Sequence, residues 1–330
     1  MKKSVLAIVI ACVCAFAALG IVGCACSSEP AKSSSSSESL VVTSEPSKSA
    51  SSSSKAAIDT KPVYVLAVGN DSRYQTAEDE KNEIKETDPS FSDTIMLMRL
   101  DPQKNYIGIL SIPRDTAVEV NGQHAKINDI HYWNGAKGLS EHLGGMLGIE
   151  IPYYFDMKFV DFAAFVDKIG GVTATVPQTL TGGDVITDQD ITVQGGEPTM
   201  NGHEALMVVR QRKVYGEIGE AVRQMITRDL VSKAIQNFAA KPASEAAETA
   251  KTLESFGETN MPEDVLTAYI AAYMGNEGDV KFNIGSTPYM GGIDSTGAWT
   301  VSVDPGMYQQ LREALENDTP ITDLVPNPAV

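Results

Sequence analysis

The sequence predicts an α/β fold in which helices pack on a central β-sheet. Three largely apolar runs have the length of buried strands, at residues 63–69, 94–100 and 106–112. Two segments, 160–169 and 221–240, instead repeat their apolar residues with the 3.6-residue period of an amphipathic helix. Because 42% of the 330 residues are hydrophobic, the chain can bury a substantial core.

The first 26 residues predict an export signal. Lys2 and Lys3 precede an almost uncharged stretch that is long enough to span a bilayer with the lysines inside. All four cysteines lie in or beside this stretch, and Gly23-Cys24 resembles a lipoprotein cleavage site. An uncleaved signal anchor and a lipidated Cys24 both stay open. In either case we expect the protein at the cell membrane, on its extracytoplasmic face.

A serine-rich tether is predicted over residues 27–57. Serine accounts for 15 of the 29 residues from 27 to 55, a composition that cannot bury a core. A flexible coil of this length spans ~30 Å. We therefore expect a folded domain over residues 58–330 that works close to the membrane.

The predicted domain is strongly acidic and contains no cysteine. Its 21 basic and 40 acidic residues give a net charge of −19, which repels polyanions and argues against nucleic acid as a partner. The lack of cysteine excludes disulfides and a thiol nucleophile. Against this background, clustered arginines are informative.

Two carboxylates and an arginine are predicted to meet at one edge of the sheet. The first strand leaves through Asp71, and the second begins just after Asp93. Turn residues 101–104 make the second and third strands a hairpin that returns to Arg114. If the first two strands are antiparallel, all three side chains share one edge, an arrangement that suits a divalent cation beside a phosphate.

Three further arginines extend this prediction. Residues 205–209 are predicted as a strand, which would place Arg210 and Arg212 on one face, converging on one anion. Arg223 lies in the first turn of the helix predicted at 221–240. A cation is unfavourable there unless it points at an external anion.

Shorter elements complete the prediction. Residues 178–204 are expected to form an excursion with weak strands. The aromatic cluster of Tyr132-Trp133 and Tyr153-Tyr154-Phe155 is expected in the core rather than in a prenyl tunnel. Further helices are expected at residues 138–147, 243–256, 262–274 and 307–315, and further strands at 172–176, 280–284 and 299–303.

Seven separate motifs resemble, in order and spacing, those of the LytR-CpsA-Psr family, and together they cover residues 63–238. They are Asn70-Asp71-Ser72-Arg73, Ser92-Asp93-Thr94, Ser111-Ile112-Pro113-Arg114-Asp115, Lys126-Ile127-Asn128, Gly170-Gly171-Val172, Asn201-Gly202-His203-Glu204-Ala205-Leu206, and Arg210-Gln211-Arg212 followed by Arg223-Gln224. The resemblance implies a three-layer α/β/α sandwich around a central mixed β-sheet, with an apolar tunnel for a prenyl chain.

The resemblance also implies an enzyme of cell wall biogenesis. Such a phosphotransferase moves a phosphorylated glycan polymer from a polyprenyl-pyrophosphate carrier to a hydroxyl of peptidoglycan or another cell-surface acceptor. Mg²⁺ would be held by Asp71 and Asp93. Asp115 and Glu217 are the candidate bases for the hydroxyl, beside the catalytic Arg114. The basic residues expected around the pyrophosphate are Arg73, Arg114, Lys126, Arg210, Arg212 and Arg223.

The chain departs from the family pattern at three positions. Many members carry arginine where this chain has Phe91 and Glu220, and an acidic residue where it has Val222. The two lost positive charges imply weaker pyrophosphate binding or a different donor.

Two other functions stay open. A cell-envelope binding or scaffold protein would keep the anion site without turnover, and a polyprenyl-pyrophosphate hydrolase would use water in place of the acceptor. A transcription regulator conflicts with the export segment and the acidic domain.

Overall fold

The computed structural model describes residues 58–71 and 90–330. The strands, in chain order, are β1 (Val63–Asn70), β2 (Ser92–Asp101), β3 (Tyr106–Ser111), β4 (Ala117–Val120), β5 (Gln123–Lys126), β6 (Tyr153–Lys158), β7 (Val172–Thr173), β8 (Leu180–Gly183), β9 (Asp190–Val193), β10 (Thr199–Met200), β11 (Glu258–Thr259), β12 (Lys281–Ser286), β13 (Gly292–Ile293) and β14 (Trp299–Thr300). The helices are α1 (Ile127–Leu147), α2 (Phe159–Ile169), α3 (Gly202–Arg210), α4 (Gly219–Ala239), α5 (Ala246–Glu254), α6 (Glu263–Met274) and α7 (Pro305–Asn317).

Six strands form a central mixed sheet in the order β11-β6-β1-β2-β3-β12. β2 pairs antiparallel with both β1 and β3, which confirms the predicted hairpin and meets the condition set above for the shared edge. β6 runs parallel to β1, and β12 runs parallel to β3. The segment after residue 238 therefore contributes two strands to this sheet, β11 and β12.

Helices cover both faces of the sheet. Alternate residues of β1 enter different cores, with Val65 and Ala67 on one side and Leu66 and Val68 on the other. The first core is closed by α2 to α6, and the second by α1 and α7. This arrangement confirms the predicted three-layer sandwich.

The strand predicted at residues 205–209 is wrong, because these residues belong to helix α3. The helix begins with a capping box: Asn201 Oδ1 accepts from Glu204 N at 3.0 Å, and Glu204 Oε2 accepts from Asn201 N at 2.9 Å. Residues 205–209 are all buried, so the helix has no polar face here and its apolar run resembles a buried strand.

Three smaller predictions also need correction. The strand expected at 172–176 is limited to β7, and the helix expected at 138–147 begins earlier, at Ile127, with a break at Gly135 (φ 64°). Tyr132 and Trp133 are 39% and 53% exposed, so they do not lie in the core. The structure also adds β6, whose mixture of buried and half-buried residues gave no clear strand pattern.

No helix in the two described ranges is long and apolar enough to cross a membrane. The predicted export signal and tether, residues 1–57, lie outside the described residues, as does Arg73.

The capping box of α3 yields a prediction about stability. Asn201→Ala removes the side-chain acceptor for Glu204 N and should lower the free energy of unfolding by about 1 kcal/mol. Asn201→Asp keeps an acceptor and should stay close to wild type. Urea denaturation measures both variants, and equal stability of Asn201→Ala and wild type would contradict this assignment.

Candidate functional site

The structure brings Asp71, Asp93 and Arg114 together at one edge of the central sheet. β1 ends at Asn70, which pairs with Ser92, the first residue of β2, across a β-bulge. Asp71 follows the end of β1 and Asp93 lies at the start of β2, so both residues lie at the same end of the strand pair. Two hydrogen bonds join Asp71 and Phe91: Asp71 N donates to Phe91 O at 3.0 Å, and Phe91 N donates to Asp71 Oδ1 at 2.8 Å. The carboxylate of Asp71 is thereby oriented at the edge.

Arg114 lies at the centre of a chain of alternating charges. Its guanidinium donates to Asp93 Oδ1, and its Nε lies 3.7 Å from Asp115 Oδ2. Lys126 Nζ in turn donates to Asp115 Oδ1 at 2.6 Å. Burial lowers the pKa of Arg114, but the charge and hydrogen bond of Asp93 outweigh burial, so the pKa lies above its ordinary value. Arg114 is therefore a fixed cation.

Two cavities meet at the Asp93–Arg114 ion pair. The first, an open groove of about 470 Å³, is lined by Asp71, Phe91, Asp93, Arg114, Asp115, His124, Ala125, Lys126, Asn128, Asp129, Asp294, Thr296, Ala298 and Thr300. We call it the acidic groove. The second, of about 180 Å³, is lined by Asp93, Arg114, Arg210, Arg212, Glu220 and Arg223, and we call it the arginine pocket.

Arg210 and Arg212 enter the arginine pocket from the end of helix α3. Arg210 is the last residue of the helix, and Gln211 is extended, so the chain turns between the two arginines. The guanidinium of Arg210 lies over the ring of Phe159, 4.7 Å from its centroid. The predicted convergence therefore occurs, although a helix end produces it rather than the alternation of a strand.

Arg223 is buried, and its guanidinium is held by several acceptors. Nε donates to Glu220 Oε2 at 3.0 Å and Nη2 to Glu220 Oε1 at 2.5 Å, which makes a bidentate ion pair. Nη2 also donates to Asp93 O at 2.8 Å, and Nη1 to Thr94 Oγ1 at 3.2 Å. Arg223 therefore ties helix α4 to the start of β2.

Glu220 supplies a negative charge inside the arginine pocket. Burial raises its pKa, but the charge and hydrogen bonds of Arg223 outweigh burial, so the pKa lies below its ordinary value. Glu220 is thus a carboxylate that neutralises Arg223. The pocket then combines four arginines with two carboxylates, Glu220 and Asp93, and carries a net charge of +2.

The two candidate bases are placed differently. Asp115 lines the acidic groove beside Arg114, whereas Glu217 is exposed and lines neither cavity. Lys126 also lines the acidic groove, outside the arginine pocket.

No sequence pattern singled out His131, which is buried behind the site. Its Nδ1 lies 2.7 Å from Ser90 O, and its Nε2 lies 2.8 Å from Asp156 Oδ2. The protonated ring, in which both nitrogens donate, satisfies both of these oxygen partners. Asn70 Nδ2 donates to Asp156 Oδ1 at 2.7 Å. The network thus links Asn70 and Ser90, the residues that precede Asp71 and Phe91.

The carboxylates of Asp71 and Asp93 fit the implied Mg²⁺. Each carboxylate supplies two oxygens; Asp71 Oδ1 accepts from Phe91 N, and Asp93 Oδ1 accepts from Arg114. Mg²⁺ commonly takes one or two carboxylates together with substrate phosphates. Among the residues that the structure describes, no group of three or more His, Cys, Asp or Glu could hold a metal ion. The donor set therefore suits a cation shared with a bound phosphate.

The sequence was compared with models of known protein families. A model of the LytR_cpsA_psr family matches residues 28–317, most of the chain.

Two curated relatives share the name polyisoprenyl-teichoic acid–peptidoglycan teichoic acid transferase TagU. That of Bacillus mycoides (strain KBAB4) is 27% identical over 214 residues, 62% of this chain and 62% of the relative. That of Bacillus anthracis (strain CDC 684 / NRRL 3495) is 25% identical over 275 residues, 80% of this chain and 81% of the relative. The match thus spans less than two thirds of the first relative.

The crystal structure of B. subtilis TagV shares the fold. It superposes with a TM-score of 0.65 at 23% sequence identity, covering 79% of this chain and 98% of that chain.

The His131 network yields a prediction about pH. Burial lowers the pKa of His131, but its hydrogen bond and ion pair with Asp156 outweigh burial, so the pKa lies above its ordinary value. The network's contribution to stability is therefore complete below the unfolded pKa of about 6.5 and is lost as the pH rises through the folded pKa.

We expect the stability advantage of wild type over His131→Gln to shrink as the pH rises from about 6.5, the unfolded value, through the raised folded-state pKa. Urea denaturation across that range measures it. An advantage that stayed constant with pH would show that His131 is neutral in the folded protein.

The Glu220–Arg223 pair yields a second prediction. Glu220→Gln leaves the buried guanidinium without its counter-charge and should lower the free energy of unfolding by about 3 kcal/mol. Glu217→Gln is a matched control, because the same substitution three residues earlier affects an exposed side chain and should change stability by less than about 0.5 kcal/mol. Similar losses in both variants would contradict the assigned pairing.

Proposed function

Because the chain belongs to the LytR-CpsA-Psr family, as its motifs predicted, we propose that it is a phosphotransferase of cell wall biogenesis. It transfers a phosphorylated glycan polymer from a polyprenyl-pyrophosphate carrier to a hydroxyl of peptidoglycan or another cell-surface acceptor. The names of the curated relatives, which are teichoic acid transferases, support this reaction class. The observation that carries the proposal is the arginine pocket, which opens beside the carboxylates of Asp71 and Asp93.

The charge of the arginine pocket matches the donor. A pyrophosphate that joins a sugar to a prenyl chain carries two negative charges, and the pocket carries a net charge of +2. Glu220, which the family comparison treats as a lost arginine, consumes only the charge of Arg223. Arg114, Arg210 and Arg212 line the same pocket and can contact the phosphates, with Arg73 as a further predicted contact.

Arg114 is the residue best placed to contact the reacting phosphate. It belongs to both cavities, and its Nε is buried without a hydrogen-bond acceptor among the described residues. A buried donor of this kind is normally satisfied, and a phosphate oxygen would satisfy it. Arg114 therefore marks the point where donor and acceptor meet.

The reaction is an in-line displacement at the sugar-side phosphorus. The acceptor oxygen forms the new P–O bond as the bond to the prenyl phosphate breaks, and the bonding electrons leave with the prenyl phosphate. Arg210 and Arg212 stabilise the charge that builds on this leaving group. Mg²⁺, when held by Asp71 and Asp93, supplies further positive charge to the phosphates.

Asp115 is the base that the geometry favours. It lines the groove on the acceptor side of Arg114 and can take the proton of the attacking hydroxyl. Lys126, 2.6 Å from Asp115 Oδ1, orients the carboxylate. Glu217 is the second candidate, and its exposed position gives it less support.

The location and the prenyl site belong to the same proposal. The predicted export signal and serine-rich tether support a location on the extracytoplasmic face of the cell membrane, through a signal anchor or through lipidated Cys24. A membrane-bound donor would then lie within reach of the tether. The apolar tunnel for its prenyl chain remains a prediction from the family.

The proposal predicts a transfer product that depends on Arg114. Full-length protein in detergent is incubated with a short-chain prenyl-pyrophosphate-linked oligosaccharide, peptidoglycan fragments and Mg²⁺, and the products are identified by mass spectrometry. We expect the oligosaccharide phosphate joined to the fragments, and a loss of about 10³-fold in Arg114→Ala. Lys281→Ala removes an exposed cation outside both cavities and should keep full activity.

Other products would overturn the transferase. Free phosphorylated oligosaccharide without any joined product would indicate a hydrolase. Donor binding without any product, equal in wild type and Arg114→Ala, would indicate a scaffold.

A further inference from the structure

The short hairpin of β13 and β14 presents three large apolar side chains to solvent. Met290, Ile293 and Trp299 are 63%, 70% and 39% exposed, and we call them the apolar tip. Ile293 and Trp299 are paired directly across the two strands, so their side chains share one face. A Cβ on Gly291 would lie 2.7 Å from the indole ring of Trp299, so the ring packs over this glycine. The tip is therefore a defined surface.

The opposite face of the hairpin belongs to the acidic groove. Ala298 and Thr300 line the groove. Side chains alternate along a strand, so Trp299, which lies between them, points to the other face. Val301, the next residue, donates from its N to Asp115 O at 2.9 Å. The hairpin is thus anchored beside the candidate site, while its apolar tip faces away from the groove.

The segment that contains the tip is almost uncharged. From residue 282 to residue 303 the sequence has one charged side chain, Asp294, although 21% of the chain is charged. Asp294 Oδ1 accepts from Thr296 N at 2.8 Å and from Ala298 N at 3.1 Å, so this carboxylate is used within the turn. Residues 58–330 together carry a net charge of −19, which anionic lipids repel. The hairpin segment is therefore a neutral surface on an acidic domain.

We propose that the apolar tip inserts into the lipid–water interface of the membrane. This inference rests on the proposed function, in which a lipid-linked donor is used at the membrane surface. Tryptophan favours that interface, and apolar side chains that enter it are removed from water. Because the segment around the tip is neutral, anionic lipids oppose its approach less than that of the rest of the domain.

The predicted tether is long enough for this contact. It joins the domain before β1, whereas the hairpin lies beside the groove at the end of β1 that leads to Asp71. The eight residues of β1 span about 26 Å, and the tether spans ~30 Å. The tether can therefore extend past the sheet and let the tip reach the bilayer. Insertion would hold the arginine pocket and the acidic groove close to the lipid headgroups.

A second copy of the chain is the principal rival occupant. The exposed area of the tip is on the order of a few hundred Å². A specific protein interface buries more, roughly 1,000 Å² or above. A bilayer needs no complementary partner surface, because lipids adapt to the shape of the tip, and the observations therefore favour the membrane.

The test measures contact between Trp299 and lipid. Full-length Trp133→Phe, in which Trp299 is the one remaining tryptophan, is reconstituted into vesicles of phosphatidylcholine and phosphatidylglycerol in equal amounts. Its emission is recorded with ordinary and with brominated acyl chains, since bromine quenches an indole that it contacts. We expect about twofold quenching by the brominated lipid. Ile293→Ser and Met290→Ser, added to this background, should weaken it. Val214→Ser changes an exposed apolar side chain outside the hairpin and should leave it unchanged.

Other results would overturn the inference. They are a lack of quenching, or equal quenching with and without Ile293→Ser and Met290→Ser. A blue-shifted emission that persists in detergent and rises with protein concentration would assign the tip to a second copy instead.

The same variants separate this inference from the proposed function. Arg114→Ala in the Trp133→Phe background should be quenched as strongly as its parent and still fail to transfer. Ile293→Ser should keep full transfer from the short-chain donor in detergent and be slower with a long-chain donor embedded in vesicles. Normal quenching without any transfer product would contradict the proposed function and leave the membrane contact standing.

Discussion

The geometry of the site depends on the hydrogen bonds made by the buried guanidinium of Arg223. A buried charge is costly unless it is paired and its donors are satisfied, and Arg223 meets this need with Glu220 on its own helix and with Asp93 O and Thr94 Oγ1 on β2. The same hydrogen bonds therefore balance the charge and fix helix α4 against the sheet edge. The arginine pocket and the carboxylates beside it are consequently held in one relative position.

The two cavities that share the Asp93–Arg114 ion pair differ in charge. The arginine pocket carries a net positive charge and attracts anions, whereas carboxylates outnumber the Arg and Lys side chains in the lining of the acidic groove. Under the proposed function, the phosphates of the donor would be drawn to the arginine pocket, and Asp115 would meet the attacking hydroxyl from the groove. Holding the two reactants at separate sites that meet at Arg114 would favour an in-line reaction.

Sequence reasoning succeeded where local pattern determines structure. The strands β1 to β3 and the edge shared by Asp71, Asp93 and Arg114 follow from apolar runs, turn residues and the direction of a hairpin. Helix α3 was mistaken for a strand because a helix buried on all sides shows no polar face. The Asn201 and Glu204 pair was the available signal for its start.

Other features depend on contacts that the sequence order does not reveal. His131 lies 25 residues before Asp156 and 41 after Ser90, and only the fold makes them neighbours. The role of Glu220 was equally hidden, because the family pattern counts it as a lost positive charge, whereas in the structure it pairs with Arg223.

The paired hydrogen bonds between Asp71 and Phe91 have an evolutionary consequence. They join the two ends of the segment between these residues, and together with β1 they hold Asp71 at the sheet edge. The cost of closing a loop grows only slowly with its length. A change in the length of that segment would therefore cost little free energy, so evolution can vary the segment and still keep the carboxylate edge.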